Sequence, residues 1–357
     1  MLIFLCHSIH SSYVVKATFR LYDFMDVRFG WSQGSNIDLY QGLWAQAYLP
    51  GAILSSTMCG KLFAMGRRIS MYLGTITATI GILFLLIENM WAMIFGKFFI
   101  GISLGIIFTV HGRVLEEFTP PHLYDRLFTT FLLLATIVDS ACIIIAGSWL
   151  PEAREELATT GYWRWYLGFP LIFCAISLVC TYYVMRHETP KYLISLGKYD
   201  EALEAIRACF HKDEDHVGIL NYMKRSNHEE TDKIDYLKAI FDRRYQRTLL
   251  ILLINVTFLT VNGPQTLTFF GQLLLNDIYK RGPPSAHMDV ALGLNMNLVA
   301  ETLGLILSIY IIGRMFKKKM MLTYALGLAV LNLFLAFLIH LDSKPLIQLG
   351  MMLLFII

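Results

Sequence analysis

The sequence predicts an all-α protein that crosses a membrane many times, and three observations support this prediction. Hydrophobic residues make up 56% of the 357 positions and charged residues only 16%, which is too little charge to cover a soluble chain of this length. The apolar residues cluster in long segments, and a hydrocarbon core of about 30 Å needs roughly 20 such residues per helix. A short basic turn also recurs six segments apart, which predicts two parallel six-helix halves.

The predicted spans follow one another along the whole chain. The first, at 2–25, is unusually polar because it carries His7, His10, Lys16 and Arg20. The clearer spans are 43–60, 69–88, 91–111, 127–149, 166–185, 246–272, 291–312, 320–340 and 345–357. The last segment is too short to cross a bilayer. We therefore expect the final two helices of a twelve-helix design to be absent from this sequence.

The repeated turn and the distribution of Lys and Arg divide the chain into domains. "GRRISMYLG" at 66–74 follows the second span, and "GRMFKKKMMLTYALG" at 313–327 follows the eighth. Lys and Arg favour the even-numbered connections, so those connections and the N terminus are expected on the cytoplasmic or matrix-like side. The predicted domains are a first half at 1–185, an intracellular amphipathic helical linker at 186–247 and a second half at 248–357.

The linker contains two stretches with helical periodicity. In "KYDEALEAIRACF" at 198–210 the apolar residues recur at helical spacing, and "DKIDYLKAIFDRRYQRTLL" at 232–250 shows the same pattern. Both stretches carry charges of both signs. This mixture favours helices that pack on the protein rather than on lipid.

Five motifs in chain order resemble those of the major facilitator superfamily, in its sugar porter branch or the neighbouring organic-ion branch. They are "GKLFAMGRRISM" (60–71), "GKFFIGISLGIIFTVHGRVLEEFTPPHLYDRL" (96–127), "GYWRWYLGFP" (161–170), "HETPKYLISLGKYDEALEAI" (187–206) and "NGPQTLTFFGQLLL" (262–275). Any one of these motifs is weak, but five in the right order cover nearly the whole chain. The resemblance implies a major-facilitator fold that works by alternating access.

The resemblance also implies a gate of charged residues on the cytoplasmic face. Its candidate residues are Gly66, Arg67, Arg68, Glu117, Arg126, Glu188, Lys191, Gly313 and Arg314. Opposite charges there would hold the two halves together while the site is open to the other side, and would separate when it reorients. The alternative is a merely solvated rim, because most surface charges contribute little.

Several positions depart from the sugar porter pattern. The glutamine expected in the fifth helix falls near Leu134, and the glutamine pair of the seventh falls near Leu259 and Thr260. The arginine of the fourth helix is Lys97. A site that recognises hydroxyl groups needs polar partners. Glucose specificity is therefore not expected from these positions.

Other polar residues inside the spans are the candidate binding and coupling groups. The candidate substrate contacts are Asn262, Gln265, Phe269, Gln272 and Asn297. Asp139 and Glu301 are candidate proton or cation sites, because ionisable groups within a membrane bundle are costly and usually functional. Asp23 would pair with Lys97, as an acid pairs with the fourth-helix base in proton-coupled members of the superfamily. The alternative is that each group only hydrogen-bonds a neighbouring helix.

Two functions remain open at this point. The first is a secondary transporter of a small polar solute, sugar-like or an organic ion. The second is a transport-inactive structural subunit of a larger membrane complex, with other membrane proteins as partners. Membrane lipids are partners in both cases, in the plasma membrane or an organelle membrane such as the mitochondrial inner membrane. No basic stripe indicates nucleic acid, no cofactor or metal spacing occurs, and no enzymatic activity is expected.

Overall fold

The structure is a computed structural model, and it is helical in the part of the chain that it describes. The described residues are 2–19, 21–31, 37–119, 121–149, 151, 156, 159–183, 185–210, 215–229, 242–261, 290–311 and 317–340. The first half contains α1 (Leu2–Phe19), α2 (Tyr22–Phe29), α3 (Ile37–Gln46), α4 (Leu49–Met65), α5 (Arg67–Leu85), α6 (Met90–Phe118), α7 (Pro121–Gly147), α8 (Tyr162–Gly168) and α9 (Leu171–Tyr183). The linker and second half contain α10 (Pro190–Ser195), α11 (Tyr199–Cys209), α12 (His216–Glu229), α13 (Arg243–Val261), α14 (Val290–Ile311) and α15 (Lys317–His340).

The long apolar helices coincide with the predicted spans. Among the described residues, four helical segments are long and apolar enough to cross a membrane, and Leu298–Ile311 is a shorter apolar helix. The four are Arg67–Leu85, Met90–Phe118, Leu123–Gly147 and Tyr162–Tyr183. The predicted spans at 291–312 and 320–340 correspond to α14 and α15. The end of the 246–272 span and the whole of 345–357 lie outside the described residues.

Three predicted spans are divided in the structure, and proline accounts for two of the divisions. The 43–60 span is broken at Ala47 and Tyr48, where Pro50 occupies the first turn of α4. The 166–185 span is broken before Pro170, between α8 and α9. Proline lacks an amide hydrogen and its ring collides with the carbonyl one turn earlier, so it interrupts a helix within a run that stays apolar. Tyr162–Tyr183 accordingly remains one membrane-length segment with a turn at residues 169–170. The 2–25 span is divided at Leu21, between α1 and α2.

Glycines let α6 lie unusually close to its neighbours. A Cβ atom added at Gly96 would lie 2.7 Å from the carbonyl oxygen of Gly81 on α5, and one added at Gly101 would overlap the carbonyl of Tyr48. At Gly105 an added Cβ would meet Ser55 on α4. Small residues at such positions allow helix backbones to approach closely in a membrane. The central helix of the first half is therefore packed backbone to backbone.

The polar first helix is buried inside the first half rather than on its surface. On α1, Ile9, Tyr13 and Val14 are completely buried in a core shared with Trp163 and Tyr166 of α8. The Tyr13 hydroxyl donates a hydrogen bond to the Tyr166 carbonyl at 3.0 Å. Packing on protein instead of lipid explains how a helix with several polar side chains resides within the bundle.

The linker forms a small helical layer with its own apolar core. The helix predicted at 198–210 is α11, and its Ala202, Ala205 and Ile206 are buried against Leu193 of α10 and Leu220 of α12. Residues 230–241, which include most of the second predicted linker helix, lie outside the described residues. The apolar face of α11 therefore packs on protein, as its mixed charge predicted.

Candidate functional site

The end of the first half that is predicted to be cytoplasmic holds a compact network around Glu117, which we call the Glu117 cluster. Arg67 on α5 donates two hydrogen bonds to Glu117, at 2.6 Å from Nη2 and 3.2 Å from Nε. Arg113, one turn earlier on α6, lies 3.2 Å from the same carboxylate. The hydroxyl of Thr189, just before α10, donates a third hydrogen bond at 2.5 Å. The Glu117 side chain is completely buried, so this carboxylate is fully paired within the protein.

The Glu188 side chain contacts the same region by binding backbone amides. Its carboxylate accepts hydrogen bonds from the amides of Arg67 at 3.1 Å and Arg68 at 3.2 Å, which begin α5. A carboxylate is favourable at a helix N terminus because the free amides and the helix dipole point towards it. Gly66 makes the turn with φ of +117°, and a Cβ atom there would lie 2.7 Å from Glu188. The predicted motif is thus a glycine turn capped by an acid from the linker.

The structure joins most, but not all, of the predicted gate residues. Gly66, Arg67, Arg68, Glu117 and Glu188 come together, and they connect α5, α6 and the start of the linker. Arg126 is exposed on α7. Gly313 and Arg314 lie outside the described residues. The described ion pairs of this cluster therefore stay within residues 1–195, and a latch between the two halves at this face stays a prediction.

A second charged network lies between the two halves, and we call it the Lys16 triad. The ammonium of Lys16 on α1 donates to both oxygens of Glu301 on α14, at 3.0 and 2.9 Å. Asp139 on α7 lies 3.6 Å from the same ammonium. The Asp139 side chain is 3% exposed and the Glu301 side chain is 37% exposed. The two acids that the sequence selected separately thus share one base.

Lys97 is buried at the break between α3 and α4. Its ammonium donates a hydrogen bond to the Trp44 carbonyl and lies 4.4 Å from the centre of the Trp44 ring. The Trp44 indole in turn donates to the Thr18 carbonyl of α1 at 2.9 Å. Lys97 therefore ties the fourth predicted span to the first and second. The side chain of Asp23 is not described, so its pairing with Lys97 stays a prediction.

A cluster of three histidines lies between α1 and α6. The rings of His7 and His10 are 5.8 Å apart and those of His7 and His111 are 5.7 Å apart. His10 Nδ1 is 2.9 Å from the Ser11 hydroxyl, which lies 2.9 Å from the Ser103 hydroxyl. Among the described residues, no group of His, Cys, Asp and Glu has the arrangement of a metal site.

Ser103 also lies in a stretch, "GISLG" at 101–105, that matches the Gly-x-Ser-x-Gly signature of serine hydrolases. That signature requires an exposed serine on a sharp strand-to-helix turn. Here Ser103 is completely buried in the middle of α6, and the two glycines are explained by close helix packing. The match therefore does not indicate a nucleophile.

The opposite face carries the outer cluster of Arg28, Glu88 and Arg164. Glu88 follows α5, and its carboxylate accepts hydrogen bonds from Arg28 Nε at 2.5 Å and from Arg164 Nη2 at 2.8 Å. The hydrogen bond from Arg28, together with the charges of both arginines, lowers the pKa of Glu88. This cluster joins α2, the α5–α6 connection and α8 in the first half.

Most of the predicted substrate contacts cannot be placed. Asn262, Gln265, Phe269 and Gln272 lie outside the described residues. Asn297 is one helical turn before Glu301 on α14, but its side chain is not described. Their roles stay predictions.

Sequence reasoning missed four residues that complete these networks: Lys16, Trp44, Arg113 and Thr189. Lys16 had a usable signal, because a lysine within an apolar helix requires an acidic partner. Arg113 also had one, since it precedes Glu117 by four residues on a helix. Trp44 and Thr189 act through a carbonyl and a hydroxyl brought close by the fold, for which the sequence holds no local signal.

Comparisons with known proteins agree with this architecture. The model of the family described as "Sugar (and other) transporter" matches residues 8–357. The xylose transporter XylE from E. coli, in a partially occluded inward-open conformation, is 14% identical, and the match covers 99% of this chain and 80% of XylE with a TM-score of 0.78. The proton:xylose symporter XylE of the major facilitator superfamily, bound to 6-bromo-6-deoxy-D-glucose, matches with a TM-score of 0.82 at 15% identity, covering 99% of this chain and 77% of that one. These likenesses confirm the predicted major-facilitator fold and a multi-pass membrane protein.

Curated relatives give the same picture at low identity. Hexose transporter 1 of Plasmodium knowlesi is 23% identical over 257 residues, which are 67% of this chain and 51% of the relative. The arabinose-proton symporter of Bacillus subtilis is 21% identical over 316 residues, which are 84% of this chain and 63% of the symporter. The chain thus spans only about half to two thirds of the length of these two relatives.

Proposed function

The chain belongs to the family of sugar and other transporters, and from this premise we propose that it is a secondary transporter of a sugar-like solute. The observation that carries the proposal is the extent of the family match, which includes residues 8–357. Relatives named as hexose transporters and an arabinose-proton symporter support a pentose or hexose as the solute class. Nothing observed favours the alternative of a transport-inactive subunit.

We assign the first half the role of a rigid body. The glycine contacts of α6, the Glu117 cluster and the outer cluster all connect helices within this half. In alternating access, two such bodies rock against each other around a site near the middle of the membrane. Contacts inside a body are kept during this motion, whereas contacts between the bodies are made and broken.

We assign ion coupling to the Lys16 triad. Asp139 belongs to the first half and Glu301 to the second, so a change in the charge of either acid acts where the two bodies meet. The names of two relatives, a proton:xylose and an arabinose-proton symporter, make the proton the first candidate for the coupled ion. Asp23 and Lys97 form a second candidate pair in the same role.

We place the solute beside the triad, on the second half. Asn297 lies one turn from Glu301 on α14, and Asn262, Gln265, Phe269 and Gln272 are the proposed contacts from the seventh span. Amide side chains can both donate to and accept from sugar hydroxyls. The apolar positions at Leu134 and Leu259 argue for a solute other than the typical glucose of sugar porters.

The test is uptake into liposomes that contain the purified chain, with hexoses, pentoses, organic cations and carboxylates, each with and without a pH gradient. We expect saturable uptake of at least one pentose or hexose that is lost in Gln265→Ala and Glu301→Gln. Glu204→Gln, at an exposed acid of α11, is the matched control and should keep wild-type uptake. Absence of uptake for every solute, from a folded and inserted chain, would contradict the proposal.

A further inference from the structure

The two acids of the Lys16 triad are not bonded equally to their shared base. Lys16 donates to both oxygens of Glu301 within 3.0 Å, while Asp139 Oδ2 is 3.6 Å away. The longer separation exceeds a normal hydrogen bond. Lys16 therefore reaches across to the second half although an acid of its own half is its neighbour.

Asp139 is placed as a neutral acid would be. Its side chain is 3% exposed, and its Oδ1 atom accepts no hydrogen bond from the described residues. The adjacent Ser12 hydroxyl, which donates to the Ser8 carbonyl at 2.9 Å, also lies within hydrogen-bonding range of the Asp139 carboxyl. The titratable neighbours of Asp139 are Lys16 and Tyr13 from α1, Glu301 from α14 and Cys142 of α7 itself.

The charge balance of the triad favours one bound proton. With both acids ionised, the triad has two negative charges and one positive charge. One proton makes it neutral, and burial opposes the charged form most strongly at the less exposed acid. That acid is Asp139, because Glu301 is 37% exposed.

Building on the proposed transport function, we propose that Lys16 is a positioning residue that moves between Glu301 and Asp139 according to whether Asp139 carries a proton. A proton from water adds to an Asp139 oxygen and forms an O–H bond, and no other covalent bond changes. Lys16 then pairs with Glu301 and links the halves, as in this structure. Loss of the proton to water restores the Asp139 carboxylate, which draws Lys16 back into the first half and releases Glu301.

This arrangement makes the proton a condition for contact between the halves. It also keeps every intermediate close to charge balance. The ammonium of Lys16 always has one ionised acid beside it, so the link between the halves opens without leaving Lys16 buried and unpaired, which is otherwise strongly unfavourable. One proton per cycle is the expected stoichiometry.

The first experiment measures the separation of α7 and α14 without relying on transport. Spin labels on a non-natural amino acid replace Ile145 of α7 and Leu303 of α14, which are 63% and 50% exposed, and their distance is measured from pH 5 to pH 9. We expect the wild-type distance to increase by about 2 Å or more at high pH, the scale of helix shifts at moving interfaces. Asp139→Asn, which mimics the protonated acid, should keep the short distance at every pH.

Two variants of Lys16 complete the design. Lys16→Met should give a distance that does not respond to pH, and Lys16→Arg should restore the response, since both cations can pair with either acid. A wild-type distance that ignores pH would overturn the inference. So would a pH response in Asp139→Asn equal to that of the wild type.

A transport assay then separates this inference from the proposed function. In liposomes, Asp139→Asn should not accumulate solute in response to a pH gradient, whereas Glu204→Gln, at an exposed acid of α11, should accumulate it as the wild type does. Wild-type uptake combined with unchanged accumulation in Asp139→Asn would refute the switch and leave the transporter standing. Absence of wild-type uptake, with the pH-dependent distances intact, would refute the transporter and leave the switch.

Discussion

The Glu117 cluster and the Lys16 triad both pair buried acids with bases, but they differ in completeness and in what they connect. Glu117 accepts hydrogen bonds from Arg67 and Thr189 and forms an ion pair with Arg113, all within residues 1–195. Lys16 serves two acids in two halves and is hydrogen-bonded to only one of them. In the Glu117 cluster the acid already has all its partners, so only one arrangement is available. In the Lys16 triad the base can pair with either acid, so two arrangements are possible.

This difference distinguishes structural charge from functional charge in the chain. Burying an acid is costly unless its oxygens are bonded, and the Glu117 cluster meets that requirement in a single arrangement. The Lys16 triad meets it only partly, because Asp139 Oδ1 accepts no bond from the described residues. We therefore expect changes to the first network to reduce stability and changes to the second to reduce coupling.

The largest expected effect is on stability, from Glu117→Ala. This change leaves Arg67 and Arg113 without their shared acid inside the protein, and breaking a buried ion pair costs about 3–5 kcal/mol. Denaturant unfolding in detergent should show a loss of that size. The control is Glu204→Ala on the exposed face of α11, where the change should be near zero. Equal losses of unfolding free energy in Glu117→Ala and Glu204→Ala would contradict a structural role for the Glu117 cluster.

A smaller loss is expected from Gly101→Ala, which tests the rigidity of the first half directly. The added Cβ would overlap the Tyr48 carbonyl, and overpacking of this kind costs about 1–3 kcal/mol. Gly42→Ala on α3 is the matched control, because a Cβ there has no atom within 4 Å. The same unfolding measurement should find the control unchanged or slightly stabilised, since alanine favours a helix over glycine.

Glu301→Gln should separate the effect on stability from the effect on coupling. Glu301 is one third exposed, so the loss of its pair with Lys16 should lower the free energy of unfolding by no more than about 1 kcal/mol. Accumulation of solute driven by a pH gradient should nevertheless fall at least tenfold, because the link between the halves is lost. Parallel unfolding and uptake measurements check this. A much larger loss of unfolding free energy would indicate that the triad stabilises the fold, as the Glu117 cluster does.

The smallest expected effect concerns the outer cluster and pH. Arg28 and Arg164 lower the pKa of Glu88, so its stabilising contribution is fully present above the ordinary pKa of a glutamate, about 4.3. The contribution is lost as the pH falls through the lowered pKa. Unfolding of wild type and Glu88→Gln should differ by less than about 1 kcal/mol at pH 7, as for a partly exposed pair, and should converge below about pH 4. A difference that persists in acid would contradict this.

The sequence predicted the helices correctly but did not predict where they are interrupted. The spans at 69–88, 91–111 and 127–149 match α5, α6 and α7 because a long apolar run has few options in a membrane. The breaks near Pro50 and Pro170 lie inside runs that remain apolar, so hydropathy alone passes over them. Proline was visible at both positions and was the available signal.

The charged networks were predictable only in part. Asp139 and Glu301 stood out because charge is rare in apolar spans, whereas Glu117 was identified from the family motif that contains it. Their pairing depends on which helices become neighbours, and Lys16 is 285 positions from Glu301 along the chain. No local sequence pattern can predict a contact between residues so far apart along the chain. The family motifs include Arg67, Glu117 and Glu188, whereas the three residues of the triad lie outside all five motifs.

The position of Lys16 has a consequence for how the protein is made. A lysine within a membrane helix is unfavourable during insertion unless it is paired, and Lys16, in the last turn of α1, is synthesised before Asp139 on α7 and Glu301 on α14. The ribosome therefore delivers α1 with a charge that has no acid of the triad to pair with until α7 has been synthesised. Release of α1 from the insertion machinery into lipid should accordingly wait for the synthesis of α7, so that the first half leaves as an assembled unit.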